Sequence, residues 1–485
     1  MTLFNKKHIL SKIGCMYKDY LTSTEYEVIE ISPKNLALDK RLDIILKLIC
    51  IPHILGKESS SSIENLYKEH IRCMTQGTFK EFGSETKLDL LAFKEEFKAI
   101  CTSISEDGFN ENTSLIPVTN NLVPINGAHR IAAALYFGAN IKVVLIPEIK
   151  DVNYDISFFR KYHFDERYIN SAIIKLFNVS EKYILGVTWP ASGILPKHLS
   201  ELFQNRLIDI RSTILTKEGC HNIVCEAYSK ESWLGTAANN FKGAWGKVIP
   251  CLGKNKHPAN FFILQIAEED SIVILKDEIR SKIGIGKHSI HICDNNIDSL
   301  PLLNYVYNIY FDKIVNTSHY KYKSLLTKID SFSKNMKQQN IDSSDVLLDG
   351  STLLGALGLR EPRDLDYLSL ENKSIPFFDK HNDYLKFYNE ELIDLFLDQK
   401  NHIHIYGFKI ISPLAFIEFK KNRNEEKDII DIKLLSSFEE NSNLYFLKAK
   451  VSSEFLFFKY KIRKIIIKCI ELTGTKKILK KILRR

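Results

Sequence analysis

The sequence predicts an α/β (α+β) chain of several domains, and three observations lead there. At 485 residues the chain exceeds one domain of ordinary size. Its 45% hydrophobic and 26% charged content is that of a globular protein, which excludes disordered, collagen-like and disulfide-scaffold classes. Strand–turn–helix patterns recur around residues 115–137 and 346–368. Four regions separate on this reading: 1–150, 151–330, 331–440 and 441–485.

Region 1–150 opens with a mixed helical stretch. It includes 42–54, apolar but interrupted by Lys47 and Pro52, and a serine-rich break at 59–62. An extended segment at 115–118 leads through a turn at Asn120-Asn121 to a second extended segment at 122–125. Asn126-Gly127-Ala128-His129-Arg130 then opens a helix over 131–137, and the β-branched run 141–146 reads as a closing strand. Region 151–330 is rich in aromatics, with strand-like runs at 222–227 and 261–265. In region 331–440 an apolar strand ends at Gly350-Ser351 and a helix runs over 352–359. After a turn at Pro362 a second strand carries Asp364 and Asp366. Region 441–485 is helical and basic.

The charge is unevenly placed. The chain carries 67 Lys/Arg against 59 Asp/Glu, a formal +8, while 459–485 alone holds eleven Lys/Arg and one Glu. The tail is therefore at +10 and the body at −2, which argues against a nucleic-acid coat over the whole surface. Nine cysteines, with no Cys-x-x-Cys pair and none closer than Cys220-x4-Cys225, read as reduced thiols of a cytoplasmic protein. The opening MTLFNKKHILSKIG has no apolar signal core, and no run of about 18 apolar residues predicts a membrane span.

Residues i and i+2 of a strand share a face, so Asp364 and Asp366 are expected to converge as hard oxygen ligands for Mg²⁺. The small Gly350-Ser351 turn lets backbone N–H groups approach a phosphate. Together they describe metal-assisted attack on a nucleoside triphosphate. This stretch resembles the nucleotidyltransferase superfamily, in which a hydrophobic strand ends in Gly-Gly/Ser, about a dozen residues follow, and Asp-x-Asp closes the motif. The resemblance covers about 100 residues, through Gly407-Phe-Lys409-Ile and 420–431, which look like its helical continuation. It implies Asp364 and Asp366 as catalytic metal ligands and Gly350 and Ser351 as the phosphate turn. Arg363 and Lys409 are expected beside them as phosphate contacts. The third carboxylate usual in active members has no clear match here; Asp394 and Asp398 are the candidates.

In the N-terminal region, Gly127 feeds a tight turn into an alanine-rich helix, with His129 and Arg130 in its first turn beside unpaired N–H groups. A guanidinium there makes an anion site. The segment resembles the ParB/sulfiredoxin-like fold, whose hallmark is a strand followed by Asp-Gly-x-His-Arg-x-x-Ala, over roughly 25–150. That likeness implies nucleotide phosphates bound by Gly127, His129 and Arg130; Asn126 stands where an Asp is common. Upstream, Arg41, Asp43, Lys47, His70, Glu81 and Lys87 form either solvated helix faces or the lining of the same pocket.

The middle region offers Tyr228, Trp233 and Gly246-Lys247; its aromatics are expected mostly in core packing, with stacking on a sugar or base as the alternative. His288, His291 and Asp294 are three apart in a strand-like segment, where such steps alternate faces, so no shared metal site is expected; His291 and Cys293 share a face. The tail from Phe455 alternates aliphatic groups with cations at helical spacing, which suits a helix lying among anionic lipid headgroups.

The expectation is a phosphotransfer enzyme, kinase or nucleotidyltransferase, using a nucleoside triphosphate and Mg²⁺ on a sugar, polyol or lipid-linked glycan acceptor. This make-up looks like that of bacterial O-antigen and capsule pathways, which places the protein in the cytoplasm with peripheral contact at the inner membrane face. The alternatives are a ParB-like nucleotide-switched regulator on DNA, disfavoured by the near-neutral body, and a toxin-type nucleotidyltransferase acting on tRNA or protein.

Overall fold

The computed structural model describes residues 2–81, 85–254, 257–267, 271–425, 427–433 and 435, with 458, 462 and 465 of the tail. It is mixed α/β with three small sheets. Contacts divide the chain into two compact units. One holds Met1–Lys57 and Glu64–Tyr168 together with Asn443–Arg485, the latter almost wholly outside the described residues; the other holds Glu58–Ile63 and Ile169–Ser442.

The first unit carries strands β1 (Thr2–Asn5), β2 (Glu25–Ile31), β3 (Ile116–Val118) and β4 (Ile141–Leu145), in the order β1-β2-β4-β3. The β3–β4 pair is parallel, with Ile116 opposite Val143, and so requires a crossover. Helix Ala128–Phe137 supplies it. Ile131 and three consecutive alanines, 132–134, are wholly buried, and their small side chains let helices Leu42–Ile54 and Leu90–Asp107 pack closely against it. Helix Leu42–Ile54 runs unbroken. Lys47 is buried rather than interrupting, and Pro52 falls in the last turn, two residues before the helix ends, where it leaves only the Leu48 carbonyl without its i→i−4 donor. The segment 122–125 makes only a single bridge, Val118 to Pro124, in place of the expected strand.

The second unit holds two sheets. Strands β5 (Tyr183–Thr188), β6 (Leu207–Thr213), β7 (Ala259–Gln265) and β8 (Ile290–Ile292) form an antiparallel sheet in the order β6-β7-β5-β8. Strands β9 (Val346–Asp349), β10 (Asp366–Ser369), β11 (Asp379–Lys380), β12 (His402–Ile405) and β13 (Phe408–Ile411) form the other, in the order β11-β10-β9-β13-β12. Helix Lys323–Gln338 spans the boundary expected at 330. Its Phe332 ring meets Tyr367, Phe378 and Phe408 at 5.3, 4.9 and 5.8 Å, which ties this helix to the second of these sheets.

Four local expectations are corrected. The run 222–227 belongs to helix Lys217–Ala227: the Thr216 side chain caps it, and Cys220, Ile223 and Val224 are buried at helical spacing. The helix after Ser351 ends at Ala356 in a turn through Gly358, not at 359. Residues 407–410 form the turn and strand of the β12–β13 hairpin, not a helical continuation, while 413–423 and 427–433 are helical. The second strand begins only at Asp366. Proline at 362 lacks an N–H and a bend follows at 363–364, so pairing starts late and Asp364 lies outside β10.

Among the described residues no helix is long and apolar enough to cross a membrane. The seven cysteines at 50, 73, 101, 220, 225, 251 and 293 are buried and unbridged. Of the tail, Phe458, Ile462 and Ile465 are helical and exposed, and the rest of 441–485 lies outside the described residues.

Glu226, in helix Lys217–Ala227, is 6% exposed and accepts the Tyr406 N–H at 3.1 Å. Burial pushes its carboxyl up to about 7 from 4.5. The folded state therefore binds more protons than the unfolded one between those values, and stability is lost as pH rises through that window. The loss is on the order of 3 kcal/mol once the carboxyl is ionised. We expect Glu226→Gln to flatten the pH dependence of Tm between pH 5 and 8; an unchanged slope would assign it to other groups.

Candidate functional site

In the first unit, the turn at 126–127 sets the geometry. Gly127 has φ +87°, and a Cβ there would lie 2.6 Å from Ile116 Cδ1 and 3.1 Å from Arg130 Nη2. Only glycine permits both the left-handed conformation and the close approach. Asn126 Oδ1 accepts the Gly127 N–H at 2.6 Å. Arg130 donates to Ser114 Oγ and to the Leu115 carbonyl, which fixes the guanidinium in front of the helix start.

This turn opens on a cavity of about 730 Å³. All six upstream polar residues, Arg41, Asp43, Lys47, His70, Glu81 and Lys87, line it with Gly127, His129 and Arg130. They are a pocket lining, not solvated helix faces. Lys80 and Glu96 line it too and were not legible as site residues, although Glu96 lies one turn from buried Phe93.

A buried ion cluster forms its floor. Asp43, 1% exposed, receives Arg41 through two bonds of 2.8 and 3.0 Å and Lys47 at 3.4 Å. Burial alone would raise the Asp43 carboxyl, but the Arg41 guanidinium and Lys47 ammonium hold it far below the usual carboxylate range. Arg41 also donates to the Pro124 carbonyl, two residues before the turn. Lys87 meets Glu81 at 3.0 Å and Glu96 at 2.8 Å. His70 and His129 are both driven well below their ordinary range by burial, and neighbouring Lys47 pushes the same way, so both imidazoles are neutral. Five cations (Arg41, Lys47, Lys80, Lys87 and Arg130) then face three carboxylates (Asp43, Glu81 and Glu96), an excess of positive charge suited to an anion.

In the second unit, Asp366 stands opposite Asp349 across the β9–β10 ladder. Gly350 has φ +60°, and a Cβ there would be 2.7 Å from Asp366 Oδ2. Asp349 is wholly buried; Tyr388 donates to its Oδ1 at 2.5 Å, and His381 Nδ1 lies 3.0 Å from its Oδ2. His381 Nε2 is 3.5 Å from Asp366 Oδ1. Burial pushes the Asp366 carboxyl up to about 6; His381 opposes this, while Asp349, Asp364 and Asp379 add to it. Asp364 is exposed in the bend, close enough for its charge to be felt at Asp366 but not beside it on the strand.

The remaining expected residues divide. Ser351 follows Gly350 at the same turn, and Arg363 is exposed in the bend with Asp364. Lys409 does not reach the turn: it is level with Leu347, donates to the Phe396 carbonyl at 2.9 Å and faces Asp345, at the other end of β9. Asp394 is not a third ligand either, since it accepts from Ser60, Ser61 and Ser62 and caps helix Ser61–Met74. Asp398 is buried and accepts the Lys400 N–H. Asp349, His381 and Tyr388 were missed. A lone acid closing the apolar run Val346-Leu-Leu was a signal for the first of these; loop residues 381 and 388 left none.

Among the described residues no group of three or more His, Cys, Asp or Glu side chains stands ready for a metal ion. Mg²⁺, however, is commonly held by one or two carboxylates with substrate phosphates and water. The negative charge crowded at Asp366 fits that donor set. No protein-family model, curated protein or solved structure matches the chain.

Asp43→Asn leaves Arg41 and Lys47, 3% and 4% exposed, without their counter-charge. We expect a loss of about 3–5 kcal/mol in urea unfolding. A loss below about 1 kcal/mol would show that the cluster carries little of the stability of the first unit.

Proposed function

We propose that the protein is a phosphotransfer enzyme of the kinase or nucleotidyltransferase type, which binds a nucleoside triphosphate and uses Mg²⁺. The cavity at Arg130 carries this reading: a helix start behind a glycine turn, a fixed guanidinium and a surplus of cations suit a phosphate chain. Gly127 permits close approach of the ligand to the backbone, and Arg130 offers the charge. The Asp43 cluster keeps the cavity floor rigid.

Asp366, with Asp364 beside the strand, would hold Mg²⁺ in the second unit. Bound there, the ion would supply charge neutralisation to a phosphate group at the Gly350-Ser351 turn of the same unit. Glycine at 350 lets the Asp366 carboxylate lie close against the turn, and His381, held by Asp349, flanks that carboxylate. Lys409 has no part in this arrangement.

A sugar, polyol or lipid-linked glycan hydroxyl as acceptor, and a place in bacterial O-antigen or capsule assembly, rest on the likeness of the domain make-up to such pathways. Phe458, Ile462 and Ile465, each helical and exposed and spaced by four and three residues within a strongly basic stretch of sequence, support peripheral contact with an anionic membrane face.

Calorimetry with ATP, GTP, CTP and UTP, with and without Mg²⁺, tests the proposal. Wild type should bind at least one of them. Arg130→Ala should weaken binding about tenfold or more. Asp364→Ala/Asp366→Ala should remove only the Mg²⁺-dependent part. Absence of binding by wild type overturns the enzyme reading, and loss confined to Arg130→Ala would move the chemistry into the first unit alone.

A further inference from the structure

The second unit contains another cavity, of about 650 Å³, that neither site above uses. Lys247 of helix Trp245–Leu252, Arg280 of helix Ile272–Ile283 and Lys287 converge on it. The Lys247 ammonium donates to the Lys287 carbonyl at 2.7 Å and lies 5.3 Å from the Tyr228 ring centre. Arg280 Nη1 meets Asp277 at 3.1 Å, yet its Nε is buried and finds no acceptor among the described residues. A buried donor without an acceptor is costly, and a ligand oxygen would satisfy it. Neighbouring Lys276 and Lys230 are answered by Asp294 and Asp298, whereas Lys247 and Lys287 have no carboxylate partner among the described residues.

One wall is aromatic. Tyr228 lies 5.2 Å from Trp233 and 4.4 Å from His291 between ring centres, and Trp233 is 42% exposed at the rim. His288 and His291 also border the cavity, because β8 is only three residues long and His288 sits in the turn before it, so strand alternation does not separate them. Burial and the surrounding lysines hold both imidazoles below their ordinary range. The cations of the lining are therefore its four lysines and Arg280, five against the three carboxylates Glu231, Asp294 and Asp298.

We infer that this cavity is a second binding site, for a phosphate ester carried on a ring: the phosphate sits among Lys247, Arg280 and Lys287, and the ring stacks on Trp233. A sugar phosphate and a nucleotide share this chemistry. The inference goes beyond the proposed activity and does not rest on it, since no residue is common to the two.

The test is titration of the full-length protein with pyrophosphate, glucose 1-phosphate and UDP, followed by tryptophan fluorescence and calorimetry. Lys287 and Trp233 are exposed, so changing them spares the core. Lys287→Glu should weaken all three ligands about tenfold or more. Trp233→Leu should weaken glucose 1-phosphate and UDP about tenfold while leaving pyrophosphate within about twofold. Tighter binding of UDP identifies a nucleotide site, and tighter binding of glucose 1-phosphate a sugar-phosphate site. The inference is overturned if none of the three binds wild type at millimolar concentration, or if Lys287→Glu and Arg280→Ala both bind as wild type does.

Discussion

A carboxylate taken out of water must be met by cations or donors, and three such groups fix where much of the charge in this protein stands. Asp43 draws Arg41 and Lys47 into the first unit, and Arg41 in turn grips the Pro124 carbonyl ahead of the glycine turn. Asp349 takes Tyr388 and His381. Asp428 takes Lys420 at 2.7 Å and Arg423, and these cations hold its carboxyl at about 2 against the opposing effect of burial. In each case the energetic demand of one buried acid positions neighbours that would otherwise sample many rotamers.

Local punctuation made part of this visible in the sequence. Asn126-Gly127 before an alanine-rich helix, and the strand ending at Gly350, lie where turn chemistry places them, since left-handed conformations and close backbone approach leave glycine little competition. Long-range pairing was less legible. The Lys409 ammonium is claimed by the Phe396 carbonyl, and Asp394 by a serine-capped helix start, partners that no local pattern announces. Run 222–227 failed as a strand because a short apolar stretch suits either period, and the cap at Thr216 decides for a helix. The pocket lining around Arg130 was foreshadowed by polar residues at buried positions of apolar helices; whether they faced solvent or a cavity required the tertiary packing.

The two cation-rich cavities differ in how their charge is answered. Around Arg130 nearly every cation has a carboxylate or carbonyl partner, which makes that lining a rigid frame with a small surplus. Around Lys247 the lining holds the same five cations to three carboxylates, but Lys247 leans on the Tyr228 ring and on backbone, and beside Trp233 a planar group has somewhere to lie. The first geometry favours recognition of a phosphate chain by fixed donors; the second favours recognition of an anion together with the ring that carries it.

Asn126 has a consequence of its own. An aspartate at that position would place a negative charge at the mouth of the turn, cancelling part of the surplus contributed by guanidinium and ammonium groups. With an amide there, and with His70 and His129 both held neutral, no imidazole or turn carboxylate switches the sign of the cavity under mild acidity. Its attraction for anions is thus built in as a constant of the fold and is not a property that mild acidity turns on or off.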